Sequence, residues 1–416
     1  METDSTDLWL DDWSGAEAFF GGAQAIDDLA FSTGAMVRRR VVRDGSQLLR
    51  LALAYASAGQ SCRITSAWSG LALGVDLSNP ALIGRLKPSG DFLAALVGQL
   101  LARADPGEEL AAQWDGPPIR LVDGSMFTSP GAKGVQHRLH AAYDPMRGWF
   151  TSFELTSGKI GENLSRADIE KGTVAVGDRN YAKTWALRKL ADAEAFYCVR
   201  TGVYSTRMLD PLNGEKLACA AIIARLGTQD SAEIPVLLIE SRGKKEPPMA
   251  ARLVIFRPSE ACQKREQARI KRTKISHRVT PRSDTWAMAG IVTILTNLPQ
   301  NLWPIARIMQ LYRLRWQIEL AFKTLKSTFR MRDTPCKTAP MARMWILANL
   351  AAALLAKHLS GTLKGCFSPT AGKLQKAAMP AKDTDVQPPD NPPDPARKSQ
   401  QPYQNRQKPT APERLP

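Results

Sequence analysis

Two short apolar runs each lead into an aspartate: Ile119-Arg120-Leu121-Val122 precedes Asp123, and Thr173-Val174-Ala175-Val176-Gly177 precedes Asp178. Apolar, β-branched runs of this length read as buried strands, which places both acids at strand carboxyl ends. On adjacent parallel strands the two carboxylates would lie close together and repel unless a divalent cation stood between them. Magnesium takes oxygen ligands and keeps several waters, so two or three carboxylates and a phosphate oxygen suit it. Two such ions about 3.5–4 Å apart can activate an attacking oxygen and stabilise a leaving one in phosphoryl transfer. A lone strand-terminal aspartate is usually only a turn residue, so the pair needs a third acid.

Pro304 to Thr328 supplies one. It reads as one long helix containing Tyr312, Arg315, Trp316, Glu319 and Lys326. At 100° per residue, Tyr312, Arg315, Glu319 and Lys326 fall within about 60° of one another. One face then carries a carboxylate flanked by a phenol, a guanidinium and an ammonium. An ordinary i, i+4 ion pair accounts for Arg315 and Glu319 but not for all four. The spacing Tyr-x2-Arg-x3-Glu-x6-Lys resembles the YREK signature of the insertion-sequence-family-four DDE transposases. Asp123 in Leu-Val-Asp-Gly-Ser and Asp178 in Gly-Asp-Arg-Asn-Tyr match that family's first two acids. The resemblance runs over about residues 35 to 365, most specifically in the YREK segment.

The resemblance implies an α/β fold: a ribonuclease-H-like catalytic core interrupted by a β-rich insertion. It assigns Asp123, Asp178 and Glu319 to two Mg2+ ions, with Mn2+ able to substitute. Tyr312, Arg315 and Lys326 would hold phosphates of the transposon end, and Trp316 would stack on a displaced base or else pack in the core. It also implies cleavage through hairpin ends and a homodimer on paired inverted repeats. Two other readings stay open: a nuclease that cuts without strand transfer, and an inactive DNA-binding regulator.

Around these residues the chain divides into seven stretches. Residues 1–34 read as a poorly ordered acidic leader, with eight acids and no base up to Ala30. Residues 35–115 read as a helical module, with helices at Ile64–Leu73, Pro80–Leu86 and Asp91–Ala104, following Arg38-Arg39-Arg40. A helix-turn-helix-like reader of DNA ends and a small packing bundle both fit this pattern. Residues 116–200 read as the first part of the core, with strands at Gln136–Tyr143, Trp149–Leu155 and Ala195–Arg200 and helices at Asn163–Lys171 and Ala182–Ala193. Three strands, helix, strand, helix, strand is the ribonuclease-H-like order. Residues 201–299 read as a strand-rich insertion, with strands at Leu217–Ala224, Ile234–Ile239, Ala251–Phe256 and Ile291–Leu295. From Arg242 to Arg282 it holds thirteen lysines and arginines against three acids; Lys271, Arg272 and Lys274 are its candidate phosphate contacts. Residues 300–335 carry the glutamate helix and 336–375 a further helical region. In residues 376–416, ten prolines and few bulky apolar groups predict disorder.

The chain has 56 basic and 40 acidic residues over 416, a net charge of +16 and an isoelectric point near 9.7. Such an excess points to a polyanionic partner, first of all double-stranded DNA. Met344–Ala356 is too short an apolar run to span a bilayer and reads as a buried helix, which argues against a membrane. Six scattered cysteines without a CxxC, and four histidines without HExxH, point to the reduced thiols of a cytoplasmic protein and to no zinc site; the family resemblance implies a prokaryotic, nucleoid-associated one. In-line phosphoryl transfer needs no His or Cys nucleophile.

Overall fold

Strand β1 (Ile119–Thr128) continues well past Asp123. It pairs antiparallel with β2 (Gln136–Asp144), which pairs antiparallel with β3 (Trp149–Ser157). The β2–β3 turn is closed by Asp144, whose Oδ1 accepts the backbone N–H groups of Met146 and Arg147 at 2.9 and 3.1 Å; Gly148 supplies a left-handed φ of 60°. On its other edge β1 runs parallel to β4 (Val174–Gly177), and β4 runs parallel to β5 (Phe196–Thr201). This is a computed structural model describing residues 13–57, 59–103, 114–130, 136–202, 206–240, 246–277, 283–329, 331 and 334–359. The 376–416 tail therefore lies outside the described residues.

The sheet does not stop at β5. Strand β9 (Val292–Thr296) pairs antiparallel with β5 and is followed outward by β8 (Met249–Phe256), β7 (Ser231–Ile239) and β6 (Arg207–Leu209). The order β3-β2-β1-β4-β5-β9-β8-β7-β6 makes one nine-stranded sheet. The insertion thus extends the ribonuclease-H-like sheet edge. Alternate side chains serve opposite faces, as strand pleating requires. Val174, Val176 and Cys198 join one core cluster, while Ala175, Tyr197 and Val199 join the other.

The second face is covered by α7 (Thr184–Asp192) and α8 (Cys219–Leu226). The first face is covered by the amino-terminal helices and the last three. These are α1 (Trp13–Ala18), α2 (Ala23–Ser32), α3 (Gly45–Ser57), α4 (Cys62–Leu73), α5 (Asn79–Leu86) and α6 (Gly90–Ala102), then α11 (Ile305–Arg313), α12 (Trp316–Thr328) and α13 (Ala339–Leu359). Their buried residues form one continuous cluster with that sheet face. Helix α5 begins as its sequence suggests, with Ser78 Oγ accepting the Ala81 N–H at 3.4 Å and Pro80 in the first turn.

Several elements differ from the sequence reading. Residues 13–34 are not a poorly ordered leader: Phe20, Ile26 and Ala30 are buried, and the Asp27 carboxylate pairs with Arg39 while its Oδ1 accepts Gly45 N–H at 2.9 Å. Acidic composition hid an apolar stripe. Leu217–Ala224, expected as a strand, falls mostly in helix α8. Asn163–Lys171 contains only a single 3-10 turn, Leu164–Arg166. Within the strand-rich insertion, the most basic stretch, for which the sequence reading named no element, forms helix α9 (Glu260–His277), followed by the short α10 (Ser283–Ala287). Good helix formers and the pairs Glu260–Lys264 and Glu266–Arg269 sustain α9 without an apolar stripe. The apolar run at Met344–Ala356 belongs to a longer helix: Ala339–His358 is long and apolar enough to cross a membrane by length and composition. It lies 72% buried inside the protein over its most apolar window, packed on α3, α6 and β2. The five cysteines among the described residues are free.

The α2–α3 contact makes a direct test of the leader's role. A Cβ on Gly45 would stand 2.6 Å from Ile26 O and 2.9 Å from Asp27 Cα. Both are backbone atoms that cannot rotate aside. Gly45→Ala should therefore destabilise the protein by about 1–3 kcal/mol, read as a lower denaturant midpoint. Gly70→Ala, in α4 with nothing within 4 Å of the added carbon, should be neutral or stabilising by up to about 1 kcal/mol. Equal effects at the two positions would refute the close approach.

Candidate active site

The parallel pairing of β1 with β4 sets Leu121 beside Val176. The pairing ends there; two residues on, each chain reaches its aspartate, and Asp178 lies close enough to Asp123 for its charge to raise the Asp123 carboxyl. Asp123 accepts its neighbour's N–H through Oδ1 (Gly124 N, 2.8 Å). Asp178 caps a 3-10 turn, Arg179–Tyr181, by accepting Asn180 N–H at 2.8 Å. Helix α12 packs over β1 from the face of Leu121 and Val176 through Ile318, Ala321 and Phe322, and Glu319 sits in its first turn.

Glu319 pairs with Arg315, whose guanidinium also lies 5.7 Å from the Tyr312 ring centroid. These residues do not lie on one continuous helix. The chain breaks at Leu314–Arg315 into α11 and α12, with i→i+3 bonds from Leu314 N to Leu311 O and from Arg315 N to Tyr312 O, both 3.1 Å. The expected single helix is interrupted there by this i→i+3 step, which the unbroken 3.6-residue sequence pattern does not reveal. Tyr312 lies in the last turn of α11, Arg315 takes the N-cap position of α12 without a side-chain capping bond, and the two side chains still meet.

Electrostatics tie the group together. Burial pushes the Asp123 carboxyl up to about 7; Asp178 and Glu319 add to the rise, while the Gly124 N–H and Arg315 oppose it. Burial works against the Arg315 charge, yet Tyr312, Glu319 and Asp123 hold its proton more firmly than an ordinary arginine's. Burial raises the Tyr312 phenol, partly offset by Arg315 and Arg200.

Among the described residues, no group of three or more His, Cys, Asp or Glu side chains is drawn together closely enough to hold a metal. The donor set nonetheless fits one. It is all oxygen, as Mg2+ requires, and it crowds like charges around a carboxyl already pushed toward neutrality.

The other candidates are distributed differently. Lys326 lies further along α12, its Nζ 5.5 Å from the Phe127 ring centroid. Trp316 is half-buried at the start of α12. Arg38, Arg39 and Arg40 are exposed in the α2–α3 connection. Lys271 and Arg272 are exposed on α9, and the Lys274 side chain lies outside those described.

Three neighbours escaped the sequence reading. Arg179 and Arg200 adjoin Tyr312; burial, Arg200 and Arg269 all lower the Arg179 proton affinity, and Arg200 Nε is buried without a hydrogen-bond partner. An arginine closing an otherwise apolar strand was the available signal for Arg200. Glu162 is a fourth carboxylate, in a loop without periodicity, and nothing in its local pattern marks it.

Over residues 114–355 the sequence matches the family described as "Transposase DDE domain". It is 35% identical over 349 residues to the putative transposase InsL for insertion sequence element IS186A of Escherichia coli (strain K12), covering 83% of this chain and 93% of that protein. The transposase for insertion sequence element IS421 of Escherichia coli is 35% identical over 350 residues, with the same coverage. The transposase for IS231F of Bacillus thuringiensis subsp. israelensis is 24% identical over 258 residues, 54% of this chain and 52% of that protein. The family match takes in all three acids and more than half of the chain. The chain belongs to the DDE transposases of insertion sequences, enzymes that act on DNA.

Proposed function

We propose that this transposase binds the terminal inverted repeats of its element as a homodimer on paired ends and moves the element by cut-and-paste chemistry. The observation that carries this reading is that parallel strands β1 and β4 lead into Asp123 and Asp178, while Glu319, on the helix packed against β1, lies close enough to act on the Asp123 carboxyl. Asp123, Asp178 and Glu319 are the residues that hold two Mg2+ ions, with Mn2+ able to substitute. Bound there, the cations would supply charge neutralisation for an in-line phosphoryl transfer.

The chain's own groups do the rest. Arg315 and Tyr312, next to Glu319, grip the phosphates flanking the scissile bond, the arginine through its bidentate fork. Arg179 and Arg200 add positive charge beside Tyr312. Lys326 meets the same strand further along α12. Trp316 supports a displaced end base by stacking. Exposed Arg38, Arg39, Arg40, Lys271 and Arg272 extend the phosphate track, with Lys274 on the same basic segment. Water attacks phosphorus, the P–O3′ bond breaks, and the freed 3′-hydroxyl takes the proton. That hydroxyl next attacks a phosphodiester of the opposite strand, whose P–O3′ bond breaks to release the flanking DNA and leave a hairpin end. Water opens the hairpin and frees the 3′-hydroxyl again, which then attacks a target phosphodiester and displaces its 3′-oxygen as a hydroxyl.

A labelled duplex carrying the flanking inverted repeat, incubated with Mg2+ or with EDTA and run on a denaturing gel, tests this reading. Mg2+-dependent nicks and hairpins at the repeat boundary, absent in EDTA, are expected, with joining to a target plasmid. Cut ends without joining would reduce the protein to a nuclease. A duplex bound but uncut in both Mg2+ and Mn2+ would make it a regulator.

A further inference from the structure

Glu162 is the acid at this site to which no role has been given. It lies between β3 and the Leu164–Arg166 turn, held down by Leu164, which is fully buried in the second core cluster. Its side chain is only 14% exposed. Oε2 accepts Asn180 Nδ2–H at 2.9 Å, and Asn180 is the residue whose backbone N–H caps the Asp178 carboxylate. Oε1 rests on the backbone of Gly124, the residue after Asp123. A Cβ there would meet Glu162 Oε1 at 2.6 Å and its Cγ and Cδ at 3.2 Å. The strand can pass this close only because position 124 has no side chain. Arg138 Nε stands 3.8 Å from Oε1 and is itself steadied by donating through Nη1 to Ile160 O at 3.0 Å.

A largely buried carboxylate beside Asp178 is costly and stays only where specific partners hold it. Burial and Asp178 both push the Glu162 carboxyl up, against Arg138, Asn180 and Lys183. Its contacts reach the backbone beside the first aspartate and the side chain beside the second. Resting on the proposed two-aspartate metal site, we infer that Glu162 is a positioning residue, a brace that through Gly124 and Asn180 fixes the spacing of Asp123 and Asp178 for the cations. Partners of ligating groups, when removed, typically cost about 10–100-fold in metal affinity.

The test is Mn2+ titration of the full chain by calorimetry, without DNA. Glu162→Ala and Asn180→Ala should each weaken binding about 10–100-fold. The double variant should be no weaker than either single within about 3-fold, since both remove one contact. Glu162→Gln, which still accepts from Asn180, should recover to within about 3-fold of wild type. Melting curves check folding. If Glu162→Ala unfolds, the exposed Asn180→Ala carries the test. Unchanged affinity in the singles, multiplying losses in the double, or a glutamine variant as weak as the alanine would each overturn the brace. Wild-type cleavage in Mg2+ is scored separately. Mn2+ binding that vanishes in Asp123→Ala, without any cleavage, would sink the transposition chemistry and leave the brace to be judged by affinity. A wild type that binds no Mn2+ would end both.

Discussion

Glu319→Ala should reduce cleavage at the repeat boundary at least about 10³-fold, equivalent to roughly 4 kcal/mol of transition-state stabilisation. Glu319 and Asp178 both act on the Asp123 carboxyl, and an incomplete set of oxygen ligands forfeits charge neutralisation where the reaction needs it most. Binding of the repeat in EDTA should hold or tighten slightly, because the substitution removes a negative charge and frees Arg315 from its ion pair. A gel shift in EDTA beside a denaturing gel in Mg2+ separates the two effects. Parallel loss of binding and cutting would show that Glu319 serves the fold or the Arg315 grip and not the chemistry.

The largest stability effect is expected at Trp345, on the opposite side of the same core. It is 3% exposed in α13, the helix that packs against α3, α6 and β2. Trp345→Ala removes an indole from a continuous cluster that includes both the amino-terminal helices and the sheet face. The loss should be about 3–5 kcal/mol. The lower end is favoured because the indole N–H, which has no partner in the fold, is deleted too. Urea unfolding measures it. A loss under about 1 kcal/mol would mean that α13 is only loosely docked. Trp345→Phe, which keeps most of the bulk, should restore more than half of the difference.

How far the sequence could be read depended on whether a physical pattern marked each part. The strands around Asp123 and Asp178 were legible because buried parallel strands are apolar and short, and their chain order limits the topology. The helix carrying Glu319 was legible in position, but its break at Leu314–Arg315 was not, since apolar spacing continues across the step. Helix α9 was not found because a helix that is polar all round leaves no stripe to find. The α2 segment was misread because acidic residues outweighed Ile26 and Ala30 in composition, though not in packing. The core residues contributed by the insertion strands were visible as apolar runs, yet no local signal said they would pair with β5. Glu162 and Arg179 gain their meaning from contacts across the fold, which one-dimensional spacing does not carry.

The two ends of the described chain close on each other: Tyr55 Oη lies 3.6 Å from Cys336 Sγ, and His358 Nε2 lies 3.0 Å from Leu100 O. During synthesis this has a cost in time. At roughly 5–20 residues per second, the apolar faces of α3 and α6 wait on the order of 15–60 s for the helix that covers them. A stop codon or frameshift upstream of residue 339 would therefore leave the first hundred residues without their missing wall, although every one of those residues had been made correctly.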